Sequence, residues 1–348
     1  MEIVLLIPSS LSIAETFKNG FTELGHKVQL FDFKNDVKDL FSKVNGQIFR
    51  FPYFIKRRWY DYYFDLINQS YINFINANHA DLYLIYNSQM LTPAVVELMK
   101  TKGSRIAVIM GDSPYYTKTN KHYLNLLFEA DQIFVPDSYW IEQLSMLGID
   151  KVEYFVMGFN PHVYKKVKPT QDEMNRYATN CVFMGLNYDS LLGFKRTLFL
   201  SKFAQFGLKI YGDKNWNRWI EQFPELNDSL IKKQAFIPGQ EWNLICNCAK
   251  LHPVDANPGL TNGIHIRVFD SIGSGILPIV EYRKDIEQVF PNNILPSIKS
   301  YNKITDIASY YLKNDAEREH TTEALRSHII AKYSYLHACN QILASIKF

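Results

Sequence analysis

Ile3-Val-Leu-Leu-Ile7, then Pro-Ser-Ser, then Leu11-Ser-Ile-Ala-Glu-Thr-Phe-Lys-Asn-Gly-Phe-Thr-Glu-Leu24-Gly25-His, then Lys27-Val-Gln-Leu-Phe31 is the stretch from which the architecture follows. Five consecutive aliphatic residues match a strand buried on both faces. The next fourteen place apolar side chains at helical spacing as far as Gly25, a residue type that ends helices. Lys27–Phe31 then begins a second strand, and the three pieces make a βαβ unit with parallel strands and a right-handed crossover. Working outward, strands are expected at Asp81–Tyr86, Arg105–Met110, Gln132–Val135 and Val152–Val156. Helices are expected between them at Pro93–Lys100, Lys121–Ala130 and Ser138–Leu147. A polar stretch, Lys165–Asn180, reads as a hinge. A second alternating run follows: strands at Cys181–Gly185, Leu208–Tyr211, Lys250–Pro253 and Ile276–Val280, with helices at Leu191–Phe206, Glu241–Asn247, Gly263–Ser274, Lys303–Leu312 and Ala316–Ala331. The expected fold is α/β, with two Rossmann-like halves.

The 348 residues are 47% hydrophobic, 15% aromatic and 21% charged, a composition that buries a core and excludes wholesale disorder. The net charge is +3, from 38 Lys+Arg against 35 Asp+Glu. That balance argues against dedicated nucleic-acid binding, which needs an excess of cations to neutralise phosphates. Of the four cysteines, only Cys246 and Cys248 are close, and no second pair or His-x₃-His accompanies them. Neither a zinc site nor a disulfide framework is expected, and a reduced, cytoplasmic setting fits best. The N-terminus reads as a first strand rather than a signal peptide, because the apolar run is short and Glu2 precedes it. No run approaches the ~20 apolar residues of a membrane span, so membrane contact is expected only at the periphery, at the inner face.

The most informative chemistry lies in Asn257-Pro-Gly-Leu-Thr-Asn262-Gly263-Ile-His265-Ile-Arg267-Val-Phe-Asp270-Ser-Ile-Gly-Ser-Gly275-Ile-Leu-Pro-Ile-Val-Glu281. A Gly/Pro/Asn loop feeds a helix whose first amides suit an anion, phosphate above all. Residues 263, 267, 270 and 274 share a helix face at this spacing. Two readings of Arg267 and Asp270 stand side by side. In one, Arg267 clamps a diphosphate and Asp270 takes hydrogen bonds from a ribose diol; in the other, the two pair and tie the helix to its neighbour. His265 either touches the leaving phosphate or the donor sugar, or is a surface histidine.

This run resembles the donor-site signature of GT-B glycosyltransferases, in particular the group related to the spore maturation protein CgeB and its glycosyl-transferases-group-1 relatives. That group shows an Asn-x-x-x-x-Arg-x-Phe-Glu core, matched here by Asn262, Arg267, Phe269 and Asp270. The wider retaining superfamily carries two Glu separated by seven residues, where this chain has Asn262 and Asp270. The resemblance extends to Cys181-Val-Phe-Met-Gly185-Leu-Asn187 with Lys195 and Arg196, to Lys209-Ile-Tyr211-Gly-Asp213, and to Met110-Gly-Asp112-Ser-Pro114 and Phe134-Val-Pro-Asp137-Ser138. It implies two Rossmann-like domains facing each other across a cleft. Residues 1–165 would form the acceptor side and 166–334 the donor-binding side, with a helix over 335–348 crossing back. It further implies a nucleoside-diphosphate-sugar donor as co-substrate, no other cofactor, no metal, and a glycan, lipid-linked or protein acceptor. Donor-binding residues would be Gly185, Asn187, Lys195, Arg196, Tyr211, Asn262, Gly263, Arg267 and Asp270; catalytic ones would be Asp112, Arg267 and His265.

Stabilising a departing phosphate and placing an acceptor hydroxyl are what such a transfer needs. No Asp-x-Asp motif is present to hold a metal. Asp112, at a strand end, is either an acceptor-side base or a turn-forming residue before Ser-Pro. Trp216, Trp219 and Trp242 read as core. Residues 47–64 interleave Arg50, Lys56, Arg57 and Arg58 with nine aromatics. That composition suits an anionic bilayer surface or, alternatively, an amphipathic helix whose rings pack inward. The alternatives to transfer are a sugar-nucleotide-binding protein without turnover and a GT-B sugar-nucleotide epimerase.

Overall fold

The computed structural model describes residues 1–37, 39–113, 122–231, 237–257 and 259–346. It divides into two units: Met1–Phe155 with Ala338–Phe348, and Val156–His337. The first unit contains strands β1 (Glu2–Leu6), β2 (Lys27–Leu30), β3 (Leu82–Tyr86), β4 (Arg105–Ile109), β5 (Gln132–Val135) and β6 (Val152–Tyr154). They pair in parallel in the order β2-β1-β3-β4-β5-β6. The second contains β7 (Thr179–Met184), β8 (Leu208–Tyr211), β9 (Leu230–Ile231), β10 (Ala249–Val254), β11 (Leu277–Glu281) and β12 (Ser297–Ile298). These are parallel in the order β12-β11-β10-β7-β8-β9. The α/β architecture of two Rossmann-like units is therefore as the sequence implies.

Aliphatic runs become central strands because helices cover both faces of a parallel sheet. Ile3, Val4, Leu5, Leu6 and Ile7 are all buried, as are Ile106, Ala107, Val108 and Ile109. Each large aliphatic side chain contributes about 1.5–3 kcal/mol by leaving water. The first helix, Ser12–Glu23, stops where Gly25 takes φ 83°. The amides of Gly25 and His26 then bond back to the carbonyls of Thr22 and Phe21, a closure that a left-handed glycine allows.

Each sheet reverses its winding once, at β1/β3 in the first and at β7/β10 in the second. Loops leaving the carboxyl ends of such neighbouring strands diverge, and the crevice between them is where open parallel sheets bind ligands.

Three local readings change. The polar stretch 165–180 contains a helix, Gln171–Tyr177, nucleated by a reciprocal capping box between Thr170 and Glu173. The long helix Tyr53–Ala77 begins within 47–64, for which an amphipathic helix is one of two readings, and runs well beyond it. The helix expected from Gly263 begins at Arg267 instead. Pro114, Lys121 and Pro258, part of the expected segments, lie outside the described residues. Among the described residues no helix is long and apolar enough to cross a membrane, and the four cysteines are free and buried. The final helix, Tyr335–Ser345, is anchored in the first unit by Gln341 Nε2 donating to the Tyr154 carbonyl at 3.0 Å and Ser345 Oγ donating to Glu153 at 2.7 Å.

Candidate functional site

The second unit's winding reversal gathers an unusual set of charges. Phe183, near the end of β7, presents its ring to two guanidinium groups, with Arg196 Cζ at 5.4 Å and Arg267 Cζ at 5.5 Å from its centroid. Arg196 is buried and committed: its Nε donates to Asp255 at 2.8 Å and its Nη1 to the Leu186 carbonyl. Lys195 is also committed, 2.7 Å from Glu281, whose same oxygen accepts the Ala256 amide at 3.0 Å. Arg283 lies 3.5 Å from the other Glu281 oxygen.

Arg267 differs. Among the described residues its guanidinium makes no hydrogen bond or ion pair, and Asp270 does not pair with it. It lies so close to Gly185 that a Cβ there would stand 2.9 Å from both Nη1 and Nη2, so a side chain at that position would displace the guanidinium. Burial and the neighbouring Arg196 both disfavour its charge. A half-buried cation in that state is relieved by an incoming anion.

The helix tip contributes less than its sequence implied. The Arg267 amide bonds to His265 Nδ1 at 3.1 Å, Val268 to the His265 carbonyl at 3.0 Å, and Phe269 and Asp270 to the Ile266 carbonyl. The first-turn amides are thus already used, and an anion here has to be read by side chains. The bond at Nδ1 fixes the proton of neutral His265 on Nε2, a donor. Burial, followed by Arg267 and Arg196, holds His265 well below the ordinary histidine range. Asp270 keeps part of its surface open, yet so many atoms surround it that burial pushes its carboxyl well above the usual range.

Behind the helix, Ser271 Oγ donates to the Arg267 carbonyl and receives a hydrogen bond from Nδ1 of the buried His252. Burial and Arg267 lower the His252 pKa to about 3. This chain ties the first turn of the helix to β10.

No curated protein matches the chain. Residues 195–344 match the glycosyl transferase-like family. The chain is similar to the sucrose-phosphate synthase of Thermosynechococcus elongatus at TM-score 0.67 and 10% identity, over 99% of this chain and 98% of that one. It is similar to HepE of Anabaena, solved in complex with UDP-glucose, at TM-score 0.66 and 12% identity, over 99% and 100%. A UDP-N-acetylglucosamine 2-epimerase of Listeria monocytogenes, solved as a putative enzyme of that kind, matches at TM-score 0.61 and 12% identity, over 99% and 95%. The fold is GT-B. The match to the glycosyl transferase-like family spans most of the second unit.

Of the residues singled out beforehand, the GT-B fold brings Gly185, Arg196 and Arg267 together at Phe183. Gly263 and His265 share with Asp255 and Glu281 a cavity of about 10 Å³, barely room for one water. Asn262 sits just before, its carbonyl accepting the Asp285 amide at 3.0 Å. Asn187 is buried and shapes the loop after β7: Nδ2 donates to Thr197 at 3.0 Å, and Oδ1 accepts the Tyr188 amide at 2.8 Å. Tyr211 lies in an apolar core with Val182, Met184 and Trp242, and burial pushes its hydroxyl up to about 12. Asp112 belongs to the first unit, held by Asn87 Nδ2 at 3.1 Å.

Several contributors gave no sequence signal of their own. Phe183 and His252 fall inside expected strands and Asp255 follows one, with nothing in the spacing to single them out. Trp216 and Trp219 are core, as expected, but their indole N–H groups also hold the loop, donating to the carbonyls of Gly185 at 3.0 Å and Tyr188 at 2.8 Å.

Proposed function

We propose that this chain transfers a sugar from a nucleoside-diphosphate donor, most simply a UDP-sugar, onto a glycan, lipid-linked or protein hydroxyl. The observation that carries the reading is the unpaired Arg267 guanidinium, stacked on Phe183 at the winding reversal of a glycosyltransferase-like unit. In this reading Arg267 takes the diphosphate oxygens, and the neutral His265 donates its Nε2 proton toward the leaving group or donor sugar. Ribose hydroxyls donating to Asp270 would offset the burial that disfavours its ionised form. A fixed cation aimed at developing phosphate charge stabilises the departing group without a metal. Lys195 and Arg196 shape the site through Glu281 and Asp255 rather than touching the donor.

Asp112 is the acceptor-side base in this reading. The neighbouring loop after β3, which holds it through Asn87, is unusual: Asn87, Gln89 and Met90 all have positive φ, and conformations costing about 1–3 kcal/mol each gather at functional sites. Asn87 Oδ1 accepts the amides of Gly111 and Asp112 while Nδ2 orients the carboxylate.

Incubation with a panel of nucleoside-diphosphate sugars, with and without acceptors, tests the reading by nucleotide release and product mass. Acceptor-dependent release supports it. Isomerised donor without release would replace it by an epimerase, and UDP-induced thermal stabilisation without turnover by a binding protein.

A further inference from the structure

The notable feature outside the donor site is the start of the long helix in the first unit. Every residue from Phe49 to Ile55 is exposed, including Phe49 at 63%, Phe51 at 50%, Tyr53 at 73% and Phe54 at 63%. The helix begins to bury side chains fully only at Tyr63. The exposed end is nevertheless fixed in place. Trp59 Nε1 donates to Asn45 at 3.2 Å, and its ring packs against Phe41 and Tyr63. Among the described residues, Arg50, Lys56, Arg57 and Arg58 make no ion pair, and Arg50 lies over the Phe49 ring at 5.5 Å.

We propose that Phe49–Arg58 is a docking surface for an anionic phospholipid bilayer. Four cations without carboxylate partners, interleaved with protruding rings, select that occupant by charge complementarity. The rings suit the depth of the headgroup boundary, and the cations meet the negative lipids on either side of them. A protein interface core is instead depleted in lysine and other charges. The proposal shares no residue with the donor site and stands independently of the reading given to that site.

Co-sedimentation of the full chain with phosphatidylcholine vesicles, with and without phosphatidylglycerol, tests it. The wild type should partition onto the phosphatidylglycerol vesicles and be released by high salt. Lys56→Glu with Arg57→Glu and Arg58→Glu should weaken binding by about a hundredfold, since each cation near such a surface is worth about 1 kcal/mol. Phe49→Ser with Phe51→Ser and Phe54→Ser should weaken it by about tenfold or more. Both variants should keep the wild-type Tm and any UDP-induced shift, which separates lost docking from lost folding or a failed donor site. Equal partitioning of wild type onto both vesicle types would overturn the proposal, as would unchanged binding by the charge-reversed chain. So would light scattering that shows a wild-type dimer which the Phe variant dissolves, because the face would then belong to a second copy.

Discussion

The two winding reversals of this molecule are built alike and equipped differently. In the first unit, Ser9 after β1 bonds twice to Asp32, and Asn87 after β3 bonds to Gly111 and Asp112, so the polar groups there are matched to one another. In the second, Phe183 carries two arginines, one neutralised by Asp255 and one with no partner among the described residues. One architecture thus yields a self-satisfied loop cluster and a loop cluster holding an uncompensated cation. On the reading proposed above, the difference puts the anion site in the second unit, where the fold alone would allow two.

The sharpest way to break that contrast is to remove each arginine in turn. Arg196→Ala strands Asp255, which already has one buried oxygen without a partner, and should cost about 3–5 kcal/mol in urea unfolding. Arg267→Ala should leave stability within about 1 kcal/mol, since no partner is orphaned. It should lower kcat/KM by ~10²-fold or more and abolish the UDP-induced thermal shift. A normal rate for Arg267→Ala would remove it from the site. Asp112→Asn keeps the size of the side chain and its hydrogen bond from Asn87 but not its basicity. It should lower kcat by ~10²-fold while donor KM stays near wild type; a parallel loss of donor affinity would contradict its place on the acceptor side. Gly185→Ala puts a methyl into the guanidinium and should cost ~10-fold in kcat/KM, about 1.4 kcal/mol, through Arg267 alone. Combined with Arg267→Ala it should add nothing further.

Over a single pH unit just below neutral, the effect on pH dependence is small. His252 titrates near 3 in the folded chain and near 6.5 unfolded, so between those values the unfolded state holds a proton that the folded one refuses. The contribution is intact above about pH 6.5 and is lost as pH falls through the window, by up to about 1.4 kcal/mol per pH unit. His265 acts in the same direction. His252→Gln should therefore flatten Tm against pH between neutral and mildly acidic conditions; an unchanged slope would show that His252 is not the group responsible.

Much of the fold was legible because it depends on local pattern. Aliphatic runs of four to six residues and helical spacing located most strands of both sheets, including Gln132–Val135 and Leu208–Tyr211 to the residue, but not the two-residue edge strands Leu230–Ile231 and Ser297–Ile298. The capping-box pair Thr170 and Glu173 is present in the sequence, but the polar composition around it reads as a hinge. The helix start at Arg267 was not legible. His265 takes the Arg267 amide only once β10 and β11 hold the loop in place, so spacing alone put the start too early.

Within the site, the sequence by itself marked Gly185, Arg196, Arg267 and Asp270 as chemistry-bearing and ordered them along the chain. It could not say which cation stays unpaired, because Asp255 and Glu281 lie far from Arg196 and Lys195 in sequence and meet them only through parallel pairing of β7, β10 and β11. Charge type is written locally, whereas charge compensation depends on distance, and distances between remote residues are set by the packed sheet.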